Sequence, residues 1–260
     1  MRMDHFKNIG SFDAASGQYK GAYQQTVWSP KFGLVYQPIP EQVSFFANYQ
    51  NGFTNKTGTD YAGNTFKPEH ANQWEAGIKL DAAQGKLTST ISYYNIEVEN
   101  LVRPYPSNPN FSIQDGTQRS KGFEVEVIAN PFRGFNIVGG FAYNDSKYTK
   151  SEESVQGRRP TTAMSPVTAN LWMSYKLTNG FGFGFGGNHA SDNKIMNSTT
   201  MGVFILPAYT VLNATLFYDQ PKFRFGLKVD NLTDQRYWIG YTTMNPQMPR
   251  NIAGSISLKF

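Results

Sequence analysis

The sequence predicts an all-β protein: an antiparallel meander of about 11 long strands that forms part of a membrane-spanning barrel. Three observations predict it. Apolar and polar residues alternate with period two along most of the chain, the signature of strands with two unlike faces. Most alternating segments have about 9–11 residues, enough to cross a bilayer at a tilt, whereas strands of soluble proteins average about 5–6. The connections between them alternate strictly between short and long, as they do in outer-membrane barrels with short inner turns and long external loops.

The segments fall at 29–37, 42–51, 71–81, 86–98, 118–129, 135–145, 165–177, 180–190, 207–219, 222–231 and 248–260. The clearest is 222–230, where Phe223, Phe225, Leu227 and Val229 alternate with charged residues or glycine. Phe123, Val125 and Val127 likewise alternate with Glu124 and Glu126, and the two glutamates read as polarity facing a lumen. Gly and Phe alternate over 180–187, which reads as a lipid-facing Phe row with Gly on the lumen side, leaving internal space. The short connections are 38–41, 82–85, 130–134, 178–179 and 220–221; the long ones are 52–70, 99–117, 146–164, 191–206 and 232–247. Aromatics gather near segment ends (Tyr49, Tyr93, Tyr94, Tyr143, Tyr175, Tyr218 and Tyr237/Trp238 among them), the placement of a girdle at a membrane–water boundary.

Composition narrows the function. Aromatics make up 15% of residues and charged residues only 17%, below the roughly 25% of soluble domains. Mean hydropathy is −0.48, and no apolar run approaches the ~20 residues of a transmembrane helix, so contact with a bilayer requires a closed barrel. The 24 Lys and Arg residues are scattered, which sets aside nucleic acid as a partner. No cysteine is present, and His5, His70 and His189 are isolated, so neither a metal centre nor catalysis is expected. A soluble β-rich glycan-binding module is the alternative reading.

If terminal Phe260 lies on the inner side, the last strand runs inward and the short turns fall inside. The first strand then also runs inward from an external start, and the even strand number of single-chain barrels requires more strands upstream. Residues 1–28 are accordingly expected to be the end of one such strand and the loop after it, and 29–260 the barrel region.

Several motifs resemble those of the TonB-dependent outer-membrane receptors, in particular the siderophore branch. The carriers are Ser29-Pro30-Lys31-Phe32-Gly33-Leu34-Val35-Tyr36, Lys67-Pro68-Glu69 with Glu75-Ala76-Gly77-Ile78-Lys79, and Arg119-Ser120-Lys121-Gly122-Phe123-Glu124-Val125-Glu126. Asn231-Leu232-Thr233-Asp234, Pro249-Arg250 and the terminal Phe260 follow in family order. The resemblance implies a barrel of about 22 strands, of which this chain is the C-terminal half, open or incompletely closed alone. It also implies a plug domain that these residues do not contain, and import of ferric siderophores energised through TonB by way of that missing N-terminal part. Phe260 resembles the signal read by the barrel-assembly machinery. The implied surroundings are outer-membrane lipid and lipopolysaccharide, and the implied cargo is iron already chelated by its siderophore, with no resident cofactor.

A chelated-metal ligand needs aromatic and hydrogen-bonding surface, with cations for acidic complexes. The long loops offer Tyr61, Phe66, Tyr105, Phe111, Phe204, Trp238 and Tyr241, with Arg103, Arg158 and Arg159.

Overall fold

Alternation of this kind needs two different environments on the two sides of one sheet, and the computed structural model supplies such a sheet. It describes residues 1–14, 17–20 and 22–260. In chain order the strands are β1 (Arg2–Asn8), β2 (Ser11–Asp13), β3 (Gln18–Lys20), β4 (Tyr23–Ser29), β5 (Lys31–Ile39), β6 (Val43–Thr54), β7 (Glu69–Ala82), β8 (Leu87–Tyr105), β9 (Asn108–Ala129) and β10 (Phe135–Lys150). They continue with β11 (Val167–Lys176), β12 (Phe181–Ala190), β13 (Asn193–Ser198), β14 (Gly202–Leu206), β15 (Tyr209–Asp219), β16 (Phe223–Asp230), β17 (Trp238–Ile239), β18 (Asn245–Pro246) and β19 (Asn251–Leu258). Eleven of them form one antiparallel sheet in the order β19-β16-β15-β12-β11-β10-β9-β8-β7-β6-β5. The expected eleven strands are thus present, in a meander, and the sheet is open: β5 and β19 are its two edges.

The short turns share one end of the sheet, here the inner end. Gly180 shows why one of them needs glycine: its φ is +94°, and a Cβ there would lie 2.4 Å from the Asp219 carbonyl oxygen. The long connections share the outer end and carry structure that the sequence does not announce. β8 and β9 run on to Tyr105 and from Asn108, where a loop over 99–117 is expected. Three register shifts, at Val98/Leu101, Leu101/Val102 and Pro104/Tyr105, reset which side each residue faces and erase the period-two signal. β13 and β14 pair as a hairpin within the expected 191–206 loop. At the N-terminus β1 pairs with β4 from Arg2↔Ser29 to Asn8↔Tyr23, and β4 continues through Pro30 into β5. Positions 15, 16 and 21, within the expected external loop of residues 9–28, lie outside the described residues.

One face of the sheet is apolar and uncovered. Leu171, Phe183, Leu216 and Ile256 are 46%, 49%, 59% and 70% exposed. Among the described residues the buried hydrophobic side chains are Val27, Phe66, Ala190, Leu206 and Val211, too few for a soluble core. Soluble monomers rarely expose contiguous apolar patches above a few hundred Å², so this face is built for a non-aqueous neighbour. It argues against a soluble glycan-binding module.

Two aromatic rows bound that face. On the inner side Phe132, Phe135 and Tyr175 pack together, with ring centroids 5.0–6.2 Å apart, and Tyr175 meets Phe183 at 6.1 Å. On the outer side Trp74 meets Tyr93 at 6.3 Å, and Phe123 meets Tyr143 at 5.8 Å. From Phe135 to Tyr143 the strand rises about 26 Å, or about 20 Å along the normal at a 40° tilt, close to the ~25 Å apolar band of an outer-membrane barrel. Three expected girdle members are elsewhere. Tyr94 is one residue out of phase and faces the polar side, where its hydroxyl accepts a 2.7 Å bond from Asn144; Tyr237 packs on Tyr209 in the outer loops at 4.5 Å, and Trp238 lines a small space among the same loops.

The polar face is not simply hollow beside its glycines. Phe217 covers Gly182, Trp172 covers Gly184 and Gly186, and Phe46 covers Gly77; a Cβ on any of these glycines would fall within 2.8 Å of the covering ring. The Gly–Phe alternation of β12 therefore does not leave internal space, as its composition suggests. It makes room for large rings from neighbouring strands. Arg224 lies 4.6 Å over the Phe217 ring, and near the inner rim Asp219 takes Lys176 and Lys259, each at 2.6 Å.

Candidate functional site

The long connections converge at the outer end of the polar face, and their local sequences explain how. Residues 60–64 turn tightly because the Asp60 carboxylate accepts from the Ala62 and Asn64 backbones at 2.8 and 2.9 Å and from the Asn64 side chain at 3.0 Å. Those bonds, the Asn64 side chain foremost, hold its carboxyl below the usual range. The turn presents Tyr61, which stacks on Tyr105 with ring centroids 4.2 Å apart and planes 4° apart. Its other anchors are the Tyr61 amide donating to the Ser112 carbonyl at 3.0 Å and a reciprocal pair of bonds between Lys67 and Gln114. Phe66, expected among the presented aromatics, is instead buried at 6% exposure, with its carbonyl accepting from Gln25 of β4.

The outer extension of β8 and β9 carries an ion triad. Arg103 donates twice to Asp115, at 2.6 and 3.0 Å, and Lys150 meets the same carboxylate at 2.9 Å. The Arg103 guanidinium first, with help from Lys150, holds that carboxyl below its usual range against partial burial. The Asn231-Leu232-Thr233-Asp234 motif has an equally local reason. Asn231 and Asp234 both adopt left-handed φ, near +54° and +55°. The Asn231 side chain bonds Gln235 in both directions at 2.8 Å, and Asp234 accepts from the Arg250 amide at 2.9 Å. The motif thus ties both ends of the last external loop together.

Residues 151–166 fold inward over the polar face and are fastened there by Arg159. Its guanidinium donates to the Asn144 carbonyl and side-chain oxygen, both at 2.8 Å, and to the Met164 carbonyl. Asn144 is itself held by Tyr94, Ser120 and Ser146 at 2.7 Å each. Burial pulls the guanidinium's pKa down while Asp145 opposes, and an arginine stays charged regardless. Lysine cannot reproduce this planar fork. Arg159→Lys is therefore expected to weaken the fastening by about 1–3 kcal/mol. Hydrogen exchange of the 151–166 amides should speed up accordingly, with β10 and β11 unaffected; unchanged protection of the loop would contradict the assignment.

Between these elements lies a cavity of about 610 Å³, within the range of small-molecule sites. Arg103, Lys150, Glu152 and Arg159 line it with Tyr148 and Ile195. A smaller space of about 100 Å³ is lined by Trp238, Tyr241, Tyr209 and Leu206. Of the residues singled out from sequence, Arg103 and Arg159 reach the large cavity, Trp238 and Tyr241 share the small one, and Tyr61 and Tyr105 form the stack. Arg158 is occupied with Asn197 at 3.1 Å. Phe111 is half-exposed on β9, and Phe204 is exposed on β14 and lines neither cavity; Phe260 ends the chain at the inner end. Tyr148, Lys150 and Asn144 were not indicated by sequence, because a strand-end residue and a wall asparagine carry no periodic signal of their own. Among the described residues no three His, Cys, Asp or Glu side chains converge as metal ligands.

Comparison with known proteins agrees with this architecture. Residues 1–232 match the family described as TonB dependent receptor-like, beta-barrel. The metal-pseudopaline receptor CntO of Pseudomonas aeruginosa is 31% identical over 97% of this chain and 36% of its own length. The ferrioxamine B receptor of Salmonella typhimurium is 29% identical over 84% of this chain and 32% of its own length. The crystal structure of the ferric-catecholate import receptor Fiu from E. coli, in its closed form, superimposes with a TM-score of 0.79 at 22% identity, over 92% of this chain and 36% of that one. The chain thus spans about a third of the length of these relatives.

Proposed function

The chain belongs to the TonB-dependent receptor β-barrel family, and on that premise we propose that it forms barrel wall and external loops of an outer-membrane receptor that imports a chelated metal, a ferric siderophore foremost. The observation that carries the reading is the two-sidedness of the sheet: an uncovered apolar face between two aromatic rows, and a polar face roofed at its outer end by loops around a 610 Å³ cavity. A metal that arrives wrapped by its own chelator is cargo and needs no protein ligands. It needs aromatic and hydrogen-bonding surface, which the Tyr61–Tyr105 stack, Trp238, Tyr241 and the cavity cations offer. In this reading energy for import comes through TonB, the apolar face meets outer-membrane lipid and lipopolysaccharide, and Phe260 serves recognition by the barrel-assembly machinery. The named relatives support the cargo class: one is a receptor for metal-pseudopaline, another for ferrioxamine B.

The test is uptake by the source organism under iron limitation, with and without the gene. Radiolabelled iron is supplied as hydroxamate, catecholate and carboxylate chelates. Loss of uptake of at least one class is expected; undiminished uptake of all three would overturn the reading.

A further inference from the structure

The segment that folds inward over the polar face separates two spaces. The outer one is the cation-lined cavity of about 610 Å³, to which the segment gives Thr161 and Thr162. Beneath it, against the wall, lies a second space of about 270 Å³, to which the segment gives Thr162, Ala163, Met164 and Ser165. Hydroxyl groups dominate the wall of that inner space: Tyr94, Ser120, Ser146 and Thr168, with the carboxylate of Glu124. Arg159 lines the outer space and its partner Asn144 the inner one, so the bonds between them cross the boundary.

The segment is fixed at its two ends and loosely held between them. At one end the Arg158 carbonyl accepts from the Tyr148 amide at 3.0 Å, the Arg159 carbonyl accepts from Asn197 at 2.9 Å, and Pro160 is fully buried. At the other end the Pro166 carbonyl accepts from the Asn144 amide at 2.8 Å. Between the two prolines, among the described residues, only two hydrogen bonds remain. The Ala163 amide donates to the Pro160 carbonyl within the segment, and the Met164 carbonyl accepts from Arg159. One guanidinium therefore ties the partition to the wall.

The tie is of a replaceable kind. Its acceptors, on Asn144 and Met164, are neutral oxygens. Among the described residues Arg159 forms no ion pair, and its Nε is buried without a hydrogen-bond partner. Arg103 and Lys150, by contrast, already share the Asp115 carboxylate. A carboxylate entering the outer cavity offers Arg159 a charge-assisted, two-pronged bond, about twice as strong as its bonds to neutral oxygens.

We propose that residues 160–166 are a partition released by anions. A carboxylate borne by the incoming chelate draws Arg159 off Asn144, the segment lifts, and the outer cavity opens into the hydroxyl-lined space below. Release depends on the charge of the cargo, and a neutral chelate leaves the partition down. The inference rests on the proposed import role for its cargo, but the latch can be read without transport.

The experiment measures the distance between spin labels in M164C/T215C, by pulsed electron paramagnetic resonance on the full-length receptor in detergent. Met164 is 63% exposed, and Thr215 stands opposite Gly184 on the polar face of β15. The probes are citrate, ferric citrate and a neutral ferric tris-hydroxamate, with sodium chloride at matched ionic strength as control. A second distance, under about 10% of the population in the free receptor, should exceed about half with either form of citrate. It should stay unchanged with the neutral chelate and with salt. R159Q should show it with no probe present. Should R159Q fail to reach the membrane, N144D serves. Its carboxylate tightens the hold on Arg159, so the citrate concentration at half-release should rise about tenfold. A closed distribution in R159Q, no response to either form of citrate, an unchanged midpoint in N144D, or equal release by the neutral chelate would each overturn the proposal. Uptake of labelled iron by cells carrying the unaltered receptor reads the import role separately: release without uptake removes that role and leaves the partition standing.

Discussion

An arginine in place of Leu171 is expected to destabilise the membrane-inserted barrel by about 2–4 kcal/mol, while one in place of its neighbour Asn170 should change stability by less than about 1 kcal/mol. Leu171 sits in the row Gly139–Leu171–Gly187–Leu212, midway between the two aromatic rows. With glycine on both sides nothing covers its side chain, which is 46% exposed. A guanidinium there has only hydrocarbon around it and is too deep to reach water easily. The same group at Asn170 points to the polar face, beside Gly140 and the glutamates of β9. Denaturant unfolding of the full-length protein in lipid vesicles measures both, and equal costs at the two positions would mean that the faces are not in different solvents.

Gly186→Ala is expected to cost about 1–3 kcal/mol by overpacking, whereas Gly52→Ala should be neutral or gain up to about 1 kcal/mol. A Cβ at Gly186 would lie 2.2 Å from the Leu171 carbonyl oxygen, 2.7 Å from the Trp172 ring and 2.8 Å from the Trp172 Cα. Two of those three atoms are backbone, so relief requires β11 and β12 to move apart and lengthen the ladder bonds between them. At Gly52, on β6 opposite Ala71, a Cβ meets nothing within 4 Å. The same unfolding measurement compares them. A harmless alanine at Gly186 would show that Trp172 does not lie over β12 as described.

The contrast between these two glycines also shows how much could be read in advance. Strand positions, their antiparallel order and the apolar face follow from period two alone, because a strand in a bilayer wall must separate its faces residue by residue. What alternation could not give was the use made of the polar face. A glycine row looks identical whether the space beside it is empty or filled, and only the cross-strand register places Trp172 and Phe217 over it. The outer hairpin of β8 and β9 was hidden by bulges that shift phase, and Tyr94 was misplaced because adjacent tyrosines straddle the sheet. In the candidate site, residue type pointed to Arg103, Arg159, Trp238 and Tyr241. Burial of Phe66 and the engagement of Arg158 with Asn197 depend on contacts between loops distant in sequence, which no local pattern encodes.

The chain contains no cysteine, so single cysteines introduced along β15 can carry spin labels without interference. The central claim is that one face of this strand touches hydrocarbon and the other looks into an aqueous lumen. In the full-length protein in lipid vesicles, accessibility to oxygen should peak at positions 212, 214 and 216, and accessibility to a water-soluble nickel complex at 213 and 215. A profile without that alternation, or one with oxygen favouring 213 and 215, would contradict it.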